Sequence, residues 1–139
     1  MIGEKIMIID DDDDFLEEIE EILIFNGYKT IVMNNGAHVL DTACMHKPDA
    51  ILLDLKLKDM SGFQVAQQLN WHPITSHIPI IGITGVFTSE NNYLLMDLSN
   101  MKMCIEKPIN PVDIIYALEK VLKKQYGDKN EIVADHYYN

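Results

Sequence analysis

Residues 5–14 read Lys-Ile-Met-Ile-Ile-Asp-Asp-Asp-Asp-Asp, an apolar run that ends abruptly in five consecutive aspartates. The run from Ile6 to Ile9 is apolar on both faces of an extended chain, which is typical of a strand covered by helices on each side of a parallel sheet. The aspartates begin where such a strand would end. This stretch therefore predicts a buried parallel strand whose carboxyl end presents carboxylates.

Apolar runs alternate with segments of helical periodicity along the rest of the chain, which is the pattern of βα units. The predicted strands are Lys5–Ile9, Lys29–Met33, Ala50–Leu53, Ile78–Ile83 and Met101–Ile105. The predicted helices are Asp14–Asn26, Gly36–His46, Gly62–Leu69, Ser89–Leu98 and Pro111–Lys124.

The polarity of the strands predicts their order in the sheet. The first, third and fourth strands are apolar throughout, whereas the second carries Lys29 and Thr30 and the fifth alternates between polar and apolar residues. Interior strands 1, 3 and 4 with edge strands 2 and 5 fit the order 2-1-3-4-5. The predicted fold is α/β, a doubly wound five-stranded parallel sheet in a flavodoxin-like three-layer sandwich. Pro79 is unusual inside an interior strand.

Composition fits one domain and excludes several classes of protein. The 139 residues, 47% of them hydrophobic, suffice for one core, so we predict a domain over 1–125 and a C-terminal tail over 126–139. A net charge of −11 disfavours direct binding of nucleic acid. No apolar stretch approaches the ~20 residues of a membrane span. Cys44 and Cys104 form no disulfide framework, so we expect buried thiols in a soluble, cytoplasmic protein.

Polar side chains directly follow four of the predicted strands. Asp10 and Asp11 follow the first, Asp54 the third, Thr84 the fourth and Lys107 the fifth. Because the carboxyl ends of parallel strands share one edge of a sheet, we expect these side chains to meet in one crevice.

The chemistry of this set points to phosphoryl transfer. Neighbouring carboxylates raise one another's pKa unless a positive charge joins them, and Mg²⁺ prefers oxygen ligands while leaving positions open for a phosphoryl oxygen. A lysine and a hydroxyl group would brace the other phosphoryl oxygens. A carboxylate in this setting is a nucleophile for covalent transfer of a phosphoryl group.

Five motifs occur in order along the chain: Ile-Met-Ile-Ile-Asp-Asp at 6–11, Leu-Leu-Asp at 52–54, Asp-Leu-Lys-Leu-Lys-Asp-Met-Ser-Gly at 54–62, Ile-Thr-Gly at 83–85 and Glu-Lys-Pro at 106–108. Together they resemble the receiver domains of two-component response regulators, over roughly residues 4–124.

The resemblance implies a role for each motif residue. Asp54 would accept a phosphoryl group from a histidine kinase or a histidine phosphotransfer protein. For Mg²⁺, Asp11 would be a direct ligand, Asp10 a ligand through water and Lys56 a ligand through its backbone carbonyl, and Asp54 would belong to the same metal site. Thr84 and Lys107 would sense the phosphate. Such a domain is not a dedicated enzyme, although it catalyses its own phosphorylation and slow dephosphorylation.

The resemblance also implies an output surface formed by the fourth predicted helix, the fifth strand and the last helix. Ile115 and Tyr116 lie off the core-facing stripe of the last helix, so this surface would bind a partner or form a homodimer. Cys104 stands where the family has a switching aromatic residue, and Lys58 replaces its usual proline. Apolar Val86 is expected to slow hydrolysis of the acyl phosphate.

Other interpretations of the same residues remain open at this point. A phosphohydrolase of the haloacid-dehalogenase type would use Asp10 as nucleophile and Asp12 as acid/base partner. A calcium loop of the EF-hand type would use Asp10, Asp12, Asp14, Glu18 and Glu21, but Phe15 stands where that loop needs glycine. A receiver-like fold kept only for protein interaction needs no phosphoryl site. Asp12, Asp13 and Asp14 are explained by a helix dipole alone, and Trp71 by packing.

Overall fold

Five strands and four helices are formed by residues 3–85 and 99–123, the part of the chain that this computed structural model describes. The strands are β1 (Lys5–Ile9), β2 (Lys29–Met33), β3 (Ala50–Asp54), β4 (Ile80–Thr84) and β5 (Met103–Glu106). The helices are α1 (Asp13–Phe25), α2 (Val39–His46), α3 (Gly62–Trp71) and α4 (Pro111–Lys123). The predicted helix at 89–98, Val86 and the predicted tail at 126–139 lie outside the described residues.

The strands form one parallel sheet in the order β2-β1-β3-β4-β5, which confirms the predicted topology. β3 and β4 are buried along their whole length, as is β1 after Lys5, whereas β2 and β5 are partly exposed. The distribution of polar residues among the strands therefore identified the interior and the edges correctly.

Each face of the sheet carries its own core because successive side chains of a strand point to opposite faces. On one face, Ile6 and Ile8 pack with residues of α1 and α4, including Leu16, Ile19, Leu23, Ile114 and Leu118. On the other face, Met7 and Ile9 pack with residues of α2 and α3, including Val39, Ala43, Val65, Ala66 and Leu69. The result is the predicted three-layer sandwich.

Local chemistry sets the helix ends. Gly27, two residues beyond the end of α1, adopts a φ of 90°, a conformation that glycine adopts without steric cost. Asn110 caps α4, since its Oδ1 accepts the backbone N–H of Val112 at 3.0 Å. Among the described residues, no helix is long and apolar enough to cross a membrane.

Several predictions about individual residues were wrong. β4 begins at Ile80, so Pro79 precedes the strand and contributes only its carbonyl, which accepts the backbone N–H of Ile51 at 3.0 Å. Trp71 is 77% exposed rather than packed, because it lies two residues beyond the core residue Leu69 and hence on the other side of α3.

Cysteine burial and the surface of α4 also differ from expectation. Cys44 and Cys104 are half-buried rather than fully buried. Ile115 is partly buried and packs against the core, so it offers less to the surface of α4 than predicted. Val112, by contrast, is largely exposed there.

Asp59 joins two loops at the carboxyl edge of the sheet, and α2 begins at Val39 rather than at Gly36. The carboxylate of Asp59 accepts the backbone N–H groups of Gly36 and Ala37, each at 3.0 Å. Residues 36–38 therefore form a turn before the helix instead of its first turn. The N–H of Gly36, helped by that of Ala37, holds the pKa of Asp59 below its ordinary value.

We expect the Asp59→Ala substitution to lower the thermal unfolding midpoint at neutral pH and to have little effect in acid. Since the folded-state pKa of Asp59 is lowered, its stabilisation is complete above the pKa of an unfolded aspartate and is lost as pH falls through the folded value. Thermal melts over a pH series measure this, with exposed Glu17→Gln as a control that leaves both loops intact. A difference between Asp59→Ala and wild type that stays constant into acid would contradict the assignment.

Candidate functional site

Asp10 is placed at the carboxyl edge of the sheet by the end of β1. Its backbone N–H donates to the carbonyl of Met33 at 3.1 Å, which continues the pairing of β1 with β2 by one step. Its side chain is 1% exposed, and its Oδ1 accepts the backbone N–H of Asp12 at 2.9 Å. Asp10 is therefore a buried carboxylate in a fixed orientation.

Asp54 is the last residue of β3, and its side chain is also buried, with 5% of the residue exposed. Its Oδ1 accepts the backbone N–H of Lys56 at 3.0 Å, while the side chain of Lys56 is exposed. The loop then turns back so that the N–H of Gly62 donates to the carbonyl of Leu55 at 3.0 Å. A Cβ at Gly62 would collide with the carbonyl oxygen of Asp54, so glycine permits this close return.

The end of β3 and the start of the loop after β1 bring three carboxylates together. One oxygen from each of Asp10, Asp11 and Asp54 lies within 4.8 Å of the others. Burial raises the pKa of Asp54 above its ordinary value, and the negative charges of Asp10 and Asp11 raise this pKa further. The backbone N–H of Lys56 and the charge of Lys107 lower it, but by less. The cluster therefore disfavours the ionised form of Asp54.

Lys107 brings a positive charge to this cluster from the loop after β5. Its Nζ lies 2.7 Å from Asp10 Oδ2 and 3.9 Å from Asp54 Oδ2. Its backbone N–H donates to the carbonyl of Thr84 at 2.7 Å, which fixes the loop to the end of β4. Thr84 is buried and forms the last position of β4. In this conformation the Lys107 Nζ lies closer to Asp10 than to Asp54.

Phe15 lies beside Lys107, and Asp12 caps the helix that carries Phe15. The ring centroid of Phe15 lies 4.2 Å from the Lys107 Nζ. Asp12 is the N-cap of α1, and its Oδ1 accepts the backbone N–H groups of Asp14 at 3.0 Å and Phe15 at 3.2 Å. Asp12 thus has the helix-terminal role expected of it, whereas no sequence motif predicted a role for Phe15. In the sequence, only the position of Phe15 directly after the aspartate run indicates that Phe15 lies near the cluster.

The cluster fits a divalent cation of the magnesium type. Three carboxylates and one ammonium group leave a formal charge of −2, and all the clustered donor atoms are oxygens. Mg²⁺ prefers oxygen ligands and needs only one or two carboxylates directly. Asp10, Asp11 and Asp54 are the residues that would hold it, while the described contacts of Lys56 involve its backbone N–H.

Comparison with known proteins decides the family. The model of the response regulator receiver domain matches residues 6–119. The chain belongs to this receiver domain family. It is 30% identical to the polar-differentiation response regulator DivK of Brucella anthropi over 118 residues, which cover 85% of this chain and 95% of DivK.

Solved structures agree with this assignment. A receiver domain protein from Methanospirillum hungatei is 26% identical and superposes with a TM-score of 0.82, over 89% of this chain and 97% of that one. The receiver domain of the sensor histidine kinase PA1611 from Pseudomonas aeruginosa, solved with a magnesium ion coordinated in the active site cleft, is 21% identical with a TM-score of 0.80. It covers 86% of this chain and 98% of that one, and at this identity it shows the fold alone.

As a receiver domain, the chain is a component of two-component signalling. Receiver domains interact with histidine kinases or phosphotransfer proteins. The phosphohydrolase alternative finds no support, because both oxygens of Asp10 are engaged and Asp12 caps a helix. The calcium-loop alternative is wrong, since Asp13–Phe25 is helical where that loop would lie.

Proposed function

We propose that this receiver domain accepts a phosphoryl group on Asp54 from a phosphohistidine of a partner kinase or phosphotransfer protein in the cytoplasm. The observation that carries the proposal is the convergence of Asp10, Asp11, Asp54 and Lys107 in one cleft. Of the three carboxylates, that of Asp54 belongs to the last residue of an interior strand, and its Oδ2 lies 3.9 Å from the Lys107 Nζ.

The transfer step is a displacement at phosphorus. Asp54 Oδ2, the oxygen that faces Lys107, forms the new bond to phosphorus while Oδ1 keeps the N–H of Lys56. The bond from phosphorus to the donor imidazole nitrogen breaks, and its electron pair returns to that nitrogen. Lys107 then donates to a phosphoryl oxygen, and the hydroxyl of Thr84 donates to another.

Mg²⁺, when bound by Asp10, Asp11 and Asp54, would neutralise the clustered carboxylates and stabilise charge on the phosphoryl oxygens. This role agrees with the oxygen-only donor set of the cluster. It also agrees with the magnesium ion of the PA1611 receiver domain, which shares the fold.

The output of phosphorylation would be a change at the surface of β5 and α4. Lys107 lies between these elements, so a new contact from Lys107 to a phosphoryl group is transmitted directly to both. Exposed Val112 on the first turn of α4 is an apolar contact that this surface offers to a partner or to a second copy.

Burial raises the pKa of the Cys104 thiol in β5 to about 11, so Cys104 stays protonated at neutral pH.

Incubation with a small phosphodonor and Mg²⁺ tests the proposal. We expect the intact protein to gain the mass of one phosphoryl group, to lose it in base, and to gain none when a chelator removes the metal. Borohydride reduces an acyl phosphate to an alcohol, so peptide mass spectrometry of reduced protein should locate homoserine at position 54.

Two results would overturn the proposal. One is an adduct that maps to Asp10 or Asp11 instead of Asp54. The other is the absence of an adduct together with steady turnover of a phosphate monoester, which would indicate a hydrolase after all.

A further inference from the structure

Lys107 has a neighbour that the proposed transfer step does not use. Its Nζ lies 4.2 Å from the centroid of the Phe15 ring, in addition to its distances of 2.7 Å from Asp10 Oδ2 and 3.9 Å from Asp54 Oδ2. An ammonium group near an aromatic ring face is attracted by the negative potential of that face. The charge of Lys107 is therefore held by two buried carboxylates and by one aromatic ring.

Both the backbone and the side chain of Phe15 are held in place by contacts. Its backbone N–H donates to Asp12 Oδ1 at 3.2 Å, and the N–H of Asp12 donates to Asp10 Oδ1 at 2.9 Å. Its half-buried side chain packs against the core between the sheet, α1 and α4. Asp10, which binds Lys107, is thus linked through Asp12 to the backbone of Phe15. The ring of Phe15 in turn lies against Lys107.

We infer that Phe15 is a positioning residue for Lys107 in phosphoryl transfer, an inference that rests on the proposed function. During transfer one of the three N–H donors of Lys107 has to reach a phosphoryl oxygen on Asp54, whereas its Nζ now lies 2.7 Å from Asp10 Oδ2 and 3.9 Å from Asp54 Oδ2. A ring face attracts the ammonium charge without fixing the direction of an N–H group. The ring therefore keeps the ammonium group in the cleft while its N–H groups exchange acceptors.

The Phe15→Leu substitution removes the ring and keeps an apolar side chain in the core. We expect the rate of Asp54 phosphorylation at saturating small phosphodonor to fall about 3- to 10-fold, with the half-saturating donor concentration nearly unchanged. The Phe15→Tyr substitution keeps a ring face and should restore most of the rate.

A double-mutant cycle separates positioning from general packing. In the Lys107→Met background there is no ammonium group to hold, so Phe15→Leu should cause no further loss of rate. The Ile22→Ala substitution is the matched control, because Ile22 is half-buried against the same core, on the same face of α1 and about 10 Å further along the helix. It should lower stability without slowing phosphorylation.

A spectroscopic measurement tests the contact without any phosphoryl transfer. In the wild type the ring current of Phe15 should move the ε-methylene proton resonances of Lys107 upfield, and in Phe15→Leu this shift should vanish. The resonances are assigned by their absence from the spectrum of Lys107→Met.

The results distinguish this inference from the proposed function. Failure of the wild type to take a label at Asp54 would overturn both. Normal wild-type labelling overturns the inference alone if Phe15→Leu is labelled at the wild-type rate, or if it slows labelling equally in the Lys107→Met background. Unshifted Lys107 resonances in the wild type would overturn it as well.

Discussion

Replacing Asp54 with asparagine is expected to abolish the phosphoryl adduct and, at neutral pH, to stabilise the folded protein by about 0.5–2 kcal/mol. The adduct disappears because an amide oxygen is a poor nucleophile for this transfer. Stability rises because Asp54 is buried beside Asp10 and Asp11, and its removal relieves like-charge repulsion. The side-chain oxygen of the introduced asparagine can still accept the N–H of Lys56, so the loop keeps its contact.

The pH dependence of this stabilisation follows from the raised pKa of Asp54. A carboxyl group whose pKa is raised in the folded state binds its proton more tightly there than in the unfolded chain. Wild-type protein therefore gains stability, relative to Asp54→Asn, as pH falls through the folded-state pKa towards the unfolded value. The difference in free energy of unfolding between the two proteins should shrink over that range.

Denaturant unfolding and mass spectrometry of both proteins check this result. Asp13→Asn is the control, since Asp13 belongs to the same aspartate run but is exposed on the first turn of α1. It should keep the adduct and gain no stability. A full adduct on Asp54→Asn would show that Asp54 is not the acceptor, and a loss of stability in that variant would contradict the expected relief of charge repulsion.

Replacing Lys107 with methionine is expected to slow phosphorylation of Asp54 by about 10²- to 10³-fold. The Lys107 ammonium group lies 3.9 Å from Asp54 Oδ2. The same substitution leaves the Asp10 carboxylate buried without its 2.7 Å partner, which should cost about 1–3 kcal/mol of stability. Methionine is unbranched and apolar, so it can still pack beside Phe15.

Magnesium should change the stability of this variant in a characteristic way. Lys107 and a bound metal ion would compete for the carboxylate of Asp10, so Lys107→Met should bind Mg²⁺ more tightly than wild type and be stabilised more by it. Thermal melts over a Mg²⁺ titration measure this, alongside the rate of labelling. Lys102→Met is the control, because Lys102 is an exposed lysine just before β5 and should change neither quantity. Near-normal labelling of Lys107→Met would contradict the role of Lys107.

Sequence patterns predicted the architecture because each pattern reflects whether the residues of one segment are buried or exposed. The apolar residues on both faces of β1, β3 and β4 predicted that these strands lie in the interior of the sheet. A parallel sheet then necessarily brings their carboxyl ends to one edge. That reasoning predicted that Asp10, Asp11 and Asp54 would meet, and the structure places them together. The cap at Asn110 and the positive φ of Gly27 are local in the same sense, since both depend on a few adjacent residues.

Positions that depend on several elements were decided only by tertiary packing. Residue 71 continues α3 beyond its predicted end, yet its tryptophan faces solvent because the core contacts of the helix end at Leu69. The start of α2 is delayed by the carboxylate of Asp59, which lies 23 residues from Gly36. No pattern within one segment carries such information.

The sequence by itself determined that this chain folds as a doubly wound sheet with three carboxylates and a lysine at one edge. Only the tertiary structure decided that Lys107 pairs with Asp10, 97 residues away, and lies against the ring of Phe15. The physical reason is that periodicity fixes which edge a loop occupies, whereas the partner of a flexible lysine depends on distances of a few ångströms between loops from separate parts of the chain.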